Sequence, residues 1–215
     1  MNIIILGQQG CGKGTQAEKL AKHFNLIHID MGMTLREVAK MDSDLGREVY
    51  AIQNVTKTLV SSRILREVLH FKLGSIPMGQ GIVFDGVPRT MDQASYIEES
   101  LHEFGRQLDR VIFINIPKEE SVRRISKRWT CETCKISLIM GKDIQIGKDK
   151  CPKCDGKIVQ RIDDTLEGIE KRLEVFNAET MPVIKYYQEM DLMVEIDGKQ
   201  DMDQVFGDII KNIEA

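Results

Sequence analysis

Apolar residues recur along this chain in two rhythms. Short, nearly unbroken apolar runs at 3–6, 26–29, 82–85, 111–116 and 193–196 have the length of strands, and the run at 111–116 is broken only by Asn115. Such a run suits a strand buried on both faces. Between the runs the spacing becomes helical. Ala17, Leu20, Ala21 and Phe24 stand at i, i+3, i+4 and i+7 of a helix over 15–24, and Val205, Phe206, Ile209, Ile210 and Ile213 mark a closing helix. Residues 91–104 and 117–128 predict two more, the second opening on Pro117 in its first turn. Residues 34–72 have helical composition without a strand pattern, and 59–69 reads as a helix of mixed exposure. A turn-rich break with Pro77 follows at 74–81. Strands alternating with helices predict an α/β fold with a parallel sheet, its ligands outside the carboxyl ends of the strands.

The junction of the first strand and first helix carries the densest chemistry. Gly7, Gly10, Gly12 and Gly14 let the backbone curl so that N–H groups converge, the helix adds the positive end of its dipole, and Lys13 adds a full charge. That is a phosphate cradle. The spacing G-x4-G-K is met through Lys13, but the hydroxyl arrives one residue late, at Thr15.

A chain of 215 residues fits one domain with room for insertions. Its net charge of −3 disfavours a general nucleic-acid or anionic-membrane binder. No apolar run approaches the ~18 residues of a membrane span. The first strand begins too early for a secretory signal, so the expectation is a cytoplasmic protein. Residues 129–160 break the helical rhythm and hold two C-x2-C pairs, Cys131/Cys134 and Cys151/Cys154, separated by 16 residues. This spacing predicts a closed four-thiolate zinc site, structural rather than catalytic, whose metal supplies the folding energy of an insertion too small for its own core. The fifth cysteine, Cys11, lies inside the phosphate loop.

The loop through Gln16-Ala17, the segment Asp85-Gly86-Val87-Pro88-Arg89-Thr90-Met91-Asp92-Gln93, the cysteine insertion, and Arg161-Ile162-Asp163-Asp164 with Arg172-Leu173 together resemble the adenylate kinase family in its long, zinc-binding LID form. The resemblance covers nearly the whole chain, and G-K-G-T is the family's own form of the loop. It implies a P-loop kinase with a five-stranded parallel CORE (1–29, 61–128, 161–215). A nucleoside-monophosphate insert would occupy 30–60 and the zinc LID 129–160. It also implies reversible transfer of the γ-phosphoryl group of Mg2+-bound ATP to AMP, giving two ADP, by a monomer with no nucleic-acid or membrane partner.

The same resemblance distributes roles. Gly10, Cys11, Gly12, Gly14 and Thr15 would surround the ATP phosphates, with Lys13 on the β and γ groups. Arg124, Ser137, Leu138 and Gln200 would line the rest of the ATP site, Arg124 lying against the base. Arg36 and Arg89 would hold the AMP phosphate. Gln93 and the backbone of Gly86, Thr58, Leu59 and Val60 would meet the AMP base, with Met31, Val87 and Pro88 beside them. Arg128, Arg161 and Arg172 would close on the transferring group, the last two also reaching AMP. Asp85 would orient magnesium through its waters, and Asp163 and Asp164 would position the arginines and latch the LID. Arginine suits this work because guanidinium stays charged and grips phosphate oxygens in a fork. Read singly, Arg124, Arg128 and Arg172 are solvated helix charges and Asp163-Asp164 a helix cap.

Departures from the family gather on the base side. Met31 replaces a threonine, Met33 an acidic residue, Val87 an aromatic, and Gln8-Gln9 a small residue followed by proline. Leu138 and Ile139 stand where zinc-type members often carry Tyr-His, and 56–60 differs from the family's G-K-L-V. A kinase of the same fold with UMP or CMP preference therefore remains an alternative, as does a non-enzymatic zinc-ribbon binder of nucleic acid or protein. Thr90 and Gln93 favour AMP.

Overall fold

The computed structural model describes residues 1–52, 60–145, 150–160 and 164–214. Thr58, Leu59, Arg161 and Asp163 lie outside the described residues. The chain runs β1 (Asn2–Leu6), α1 (Lys13–His23), β2 (Ile27–Asp30), α2 (Met31–Val38), α3 (Asp44–Tyr50) and α4 (Ser62–Gly74). It continues through β3 (Ile82–Asp85), α5 (Met91–Glu103), β4 (Arg110–Asn115), α6 (Lys118–Ser126), β5 (Arg128–Cys131), β6 (Ser137–Ile139) and β7 (Ile158–Val159). It closes with α7 (Leu166–Val175), a π-helical turn (Phe176–Thr180), α8 (Met181–Glu189), β8 (Met193–Asp197) and α9 (Met202–Ile213).

Five strands pair in the order β2-β3-β1-β4-β8, every neighbour parallel. Alternation along them divides the core into two layers. Ile4, Leu6, Ile29, Ile82, Phe84, Val111 and Phe113 face the cluster built with α2, α4, α5 and α8. Ile3, Ile5, Val83, Ile112 and Ile114 face the opposite cluster, with Ala17 and Leu20 of α1 and Val205 and Ile209 of α9. The isoleucines of β1 are fully buried, and each such side chain contributes about 1.5–3 kcal/mol. After β1 the chain goes to the edge strand β2, returns to place β3 between β2 and β1, then crosses to place β4 and β8 on the other side. That switch opens a crevice at the carboxyl end of β1.

The second sheet is small and antiparallel, in the order β6-β5-β7. Its core is Cys131, Leu138, Ile144, Cys151 and Ile158.

Several predicted elements shift. The expected 34–72 helical stretch contains α2, α3 and α4; Asp30 caps α2 through Met33 N–H and Ser43 caps α3 through Gly46 N–H. The helix expected over 59–69 begins after Ser61, whose hydroxyl accepts from Ile64 N–H. The one expected over 117–128 ends at Ser126 with Pro117 at its cap position, because Arg128 already pairs in the small sheet. Helix α7 carries Arg172 as the sequence reading had it but is capped by Thr165 rather than Asp164, and α8 has no counterpart in that reading.

Candidate functional site

The crevice is lined by segments that leave the carboxyl ends of β1, β2 and β3. The loop after β1 turns through positive φ at Gly10 (80°) and Gly12 (96°), a conformation glycine adopts without a Cβ penalty. At Gly7 a Cβ would lie 2.5 Å from the Ile114 carbonyl oxygen, so β4 presses directly on the loop. Gln8 donates to the Ile116 carbonyl and Ser121 Oγ donates to the Gln9 carbonyl at 2.6 Å, tying the loop to the start of α6.

The amino end of α1 differs from most of the others; among the described helices α6 and α8 also lack a side-chain cap. Helices α2, α3, α4, α5, α7 and α9 are each capped by a side chain, from Asp30, Ser43, Ser61, Thr90, Thr165 and Asp201. The cap position of α1 is Gly12, with no side-chain cap and no acidic residue in the first turn. Its first N–H groups are thus left to an external acceptor, with the helix dipole behind them. A Cβ at Gly12 would meet nothing within 4 Å, so the space before this helix end is open. Lys13 Nζ folds over the loop and donates to the carbonyls of Gly7 (2.5 Å) and Gln8 (3.1 Å), with Cys11 Sγ at 3.8 Å. Cys11 itself is buried, and Thr15 is exposed in the first turn of α1.

Asp85 closes β3 with its side chain 12 % exposed, and one carboxylate oxygen lies 3.3 Å from where a Cβ on Gly14 would stand. His28 Nε2 is 3.7 Å from that carboxylate. After Gly86 (φ 84°) the chain bends back through Val87 and Pro88. Arg89 Nε donates to the Gly86 carbonyl at 2.8 Å, and Arg89 N–H donates to Gln93 Oε1 at 2.8 Å, leaving the Gln93 amide NH2 as its unused donor. Arg36 stands exposed in the last turn of α2, across from Gly32. Of the expected base contacts, Met31 and Val87 are buried in the main core, Pro88 is buried, and Val60 is half-buried against that core.

On the other flank Arg124 bridges two loops, donating to the carbonyls of Gly10 (3.4 Å) and Gly198 (2.8 Å). It also pairs with Glu120 at 2.5 Å. Arg123 binds that carboxylate too, and the two arginines outweigh the cost of its burial, so Glu120 is held down to about 2. Gln200 donates to the Asp197 carbonyl and to Asp208. Ser137 is exposed, whereas Leu138 is buried, its side chain in the small core.

Arg128 and Arg172 converge on one acid. Arg128 grips Asp164 in a fork (3.0 and 2.6 Å), and Arg172 Nη2 reaches the same carboxylate at 2.8 Å. The Asp164 side chain is 1 % exposed. Burial pushes its carboxyl up, but the hydrogen bonds and charges of the two arginines outweigh burial and hold it below the usual carboxylate range. The acid thus joins the first strand of the small sheet to α7.

In the small sheet the four cysteine sulfurs lie within 4.8 Å of one another. Cys131 and Cys154 are 3.5 Å apart and Cys134 and Cys151 3.7 Å apart. A disulfide needs about 2.05 Å; a tetrahedral ion with metal–sulfur bonds near 2.3 Å needs edges of about 3.8 Å. Backbone N–H groups of Cys134 and Lys153 point at Cys131 and Cys151 sulfurs (3.5 and 3.4 Å). Burial opposes ionisation of Cys131, yet the N–H groups of Cys134 and Thr133 overcome it and bring the thiol down to about 6. The set is suited to hold a metal ion.

Sequence reasoning overlooked His28, Glu120, Ser121 and Gly198. His28 was legible in part, since period-two alternation puts it on the face of Asp30 and Asp85. The other three depend on α6 and β8 approaching the loop, which no local pattern records.

The chain matches the adenylate kinase family over residues 5–192. It is 36 % identical to the adenylate kinase of Syntrophomonas wolfei, with all of both chains covered. It is 37 % identical to the adenylate kinase of Dehalococcoides mccartyi, covering all of this chain and 98 % of that one. It is also 36 % identical to that of Brevibacillus brevis, with 97 % of each covered.

Proposed function

This chain belongs to the adenylate kinase family and transfers the γ-phosphoryl group of ATP reversibly to AMP, giving two ADP; we propose that the crevice beyond β1 is where it does so. The observation that carries the placement is the uncapped amino end of α1 beneath Lys13. It offers free N–H groups together with a cation and no first-turn acid, whereas the other end at this rim without a side-chain cap among the described residues, that of α6, carries Glu119 and Glu120. On binding, Lys13 Nζ would exchange the Gly7 and Gln8 carbonyls for phosphate oxygens. Arg36 and Arg89 would hold the phosphate of AMP, and Arg128 and Arg172, with Arg161, would turn toward the group in transit. Phosphoryl transfer asks a protein chiefly for in-line positioning and charge compensation, which this set of cations provides.

Magnesium arrives with ATP and neutralises phosphate charge when bound. A hard, oxygen-seeking ion that keeps much of its water suits the Asp85 carboxylate, half-sheltered beside Gly14. We infer that the four thiolates hold zinc structurally, since all ligand positions are taken by protein. The inserts would be 30–60 for the monophosphate and 129–160 for the LID. No helix among the described residues is long and apolar enough to cross a membrane. A cytoplasmic monomer is the simplest setting for a chain whose cysteines are free thiols in metal-site spacing.

The test is a transfer assay with Mg2+, ATP and each of AMP, UMP, CMP and GMP, reading diphosphate products. Turnover dominated by AMP is expected. Turnover with a pyrimidine monophosphate above that with AMP would overturn the assignment of the base pocket.

A further inference from the structure

We propose that Asp30 is a positioning residue for the magnesium ion that accompanies ATP, acting beside Asp85; this rests on the placement of the phosphates in the crevice. The argument starts from the strand pairing. Asp30 and Asp85 are register partners at the carboxyl ends of neighbouring parallel strands. Partners point to one face of the sheet, and neighbouring strands lie about 4.8 Å apart. That face is the α1 face, because Val83, two residues before Asp85, packs with Ala17 and Leu20. Asp85 therefore sits beside Gly14 at the helix end that would receive the phosphates, and Asp30 stands one strand further out on the same face.

Among the described residues no ion pair neutralises the Asp30 carboxylate, and the Arg36 guanidinium stands near it, both flanking the position of a Cβ on Gly32 (3.2 Å for Asp30 Oδ1, 3.6 Å for Arg36 Nη1). Asp85 has only the His28 ring, at 3.7 Å. Lys13 is turned to the loop carbonyls, and Arg36, near Gly32, forms no ion pair among the described residues. Two like charges held in register favour a cation between them and the phosphates. The Asp30 carboxylate is also fixed: Oδ1 accepts from Met33 N–H at 2.8 Å, which caps α2 and leaves Oδ2 without a protein donor among the described residues. A fixed carboxylate with a free oxygen is suited to accept hydrogen bonds from the waters of a hydrated Mg2+ ion. The exposed Met33 beside it has no group for that task.

The cap and the proposed role can be separated by substitution. Asp30→Asn and Asp30→Ser both keep a cap acceptor for α2 and remove the charge. Mg2+ would be titrated into the full-length protein with ATP, reading binding by calorimetry, with Mn2+ paramagnetic resonance as a second reporter. The free Mg2+ at half-saturation should rise about tenfold in both variants. AMP binding and metal-free ATP binding should stay as in the parent chain. A midpoint within twofold of the parent in both variants would overturn the proposal, as would weakened AMP binding at an unchanged Mg2+ midpoint, which would leave Asp30 as a cap alone. Lys13→Met with the parent's affinity for ATP would instead overturn the placement of ATP in the crevice.

Discussion

β1 buries Ile3, Ile4 and Ile5 completely, with helices against both faces of its sheet. β5, the central strand of the small sheet, is half-buried at Arg128 and Trp129, and two of the five residues of its core are cysteines. The first sheet is packed on both faces by apolar side chains. The second buries far fewer of them, and its strands are two to four residues long. The difference predicts which region can move. The large sheet must stay rigid to position the phosphate loop, while the small one is tied to the rest by Asp164 and two arginines and by hydrogen bonds of Met140 and Gln160 to the end of α6.

Metal removal should break the comparison most sharply. Structural zinc contributes about 10–16 kcal/mol in isolated fingers. Chelation, or replacing both Cys131 and Cys154 with Ser, should therefore raise hydrogen exchange throughout the described part of 129–160 while β1, β3 and β4 stay protected. Equal loss of protection in both sheets would show that they fold as one. Next in size, Lys13→Met should lower kcat about a thousandfold or more without changing the circular dichroism spectrum. Near-normal kcat would remove the phosphate cradle from the rim of the large sheet. Ile4→Ala should cost about 2–5 kcal/mol of stability in denaturant melts and leave zinc content unchanged.

Asp164→Asn should cost about 2 kcal/mol, less than a sealed buried pair, because the arginines are 16 % and 22 % exposed. The pH dependence has a defined sign. A carboxyl held below its ordinary value adds stability above about pH 4, and that stability fades as pH falls through the lower folded-state value. The Asn variant should lack this acid-side loss, as thermal melts between pH 6 and pH 3 would show. The smallest effect is expected from Met31→Thr. A new hydroxyl at the start of α2 should change KM for AMP by about fivefold at most, the worth of one hydrogen bond. A larger change would mean that Met31 leaves the core to meet the base.

What could be read from the sequence followed local density of signal. The loop from Gly7 to Thr15 and the five strands were legible because glycine spacing and unbroken apolar runs are properties of short windows. The cysteine spacing was legible for the same reason. The extent of α7 was not: the segment holding Glu167, Glu170, Lys171, Arg172 and Glu174 has only Ile169 and Leu173 buried, and these pack on Ile125 rather than on the main core. α8, by contrast, packs Val183, Ile184 and Tyr187 into that core at a helical spacing the sequence did carry. Boundaries between α2 and α3 depended on Ser43, a cap that reads as any other serine until the chain turns there. Arg128 was assigned to a helix because its pairing with Ile139 is non-local.

Gly12 has a consequence for anyone wishing to make this protein more heat-resistant. Consensus engineering supplies every helix with a capping side chain, and α1 is an obvious vacancy at this rim. A cap there would compete with the nucleotide for the same N–H groups, in a backbone conformation that side chains resist. Hardening the apo protein at this position would blunt its grip on phosphate, so a thermostability screen run without substrate would select against the enzyme.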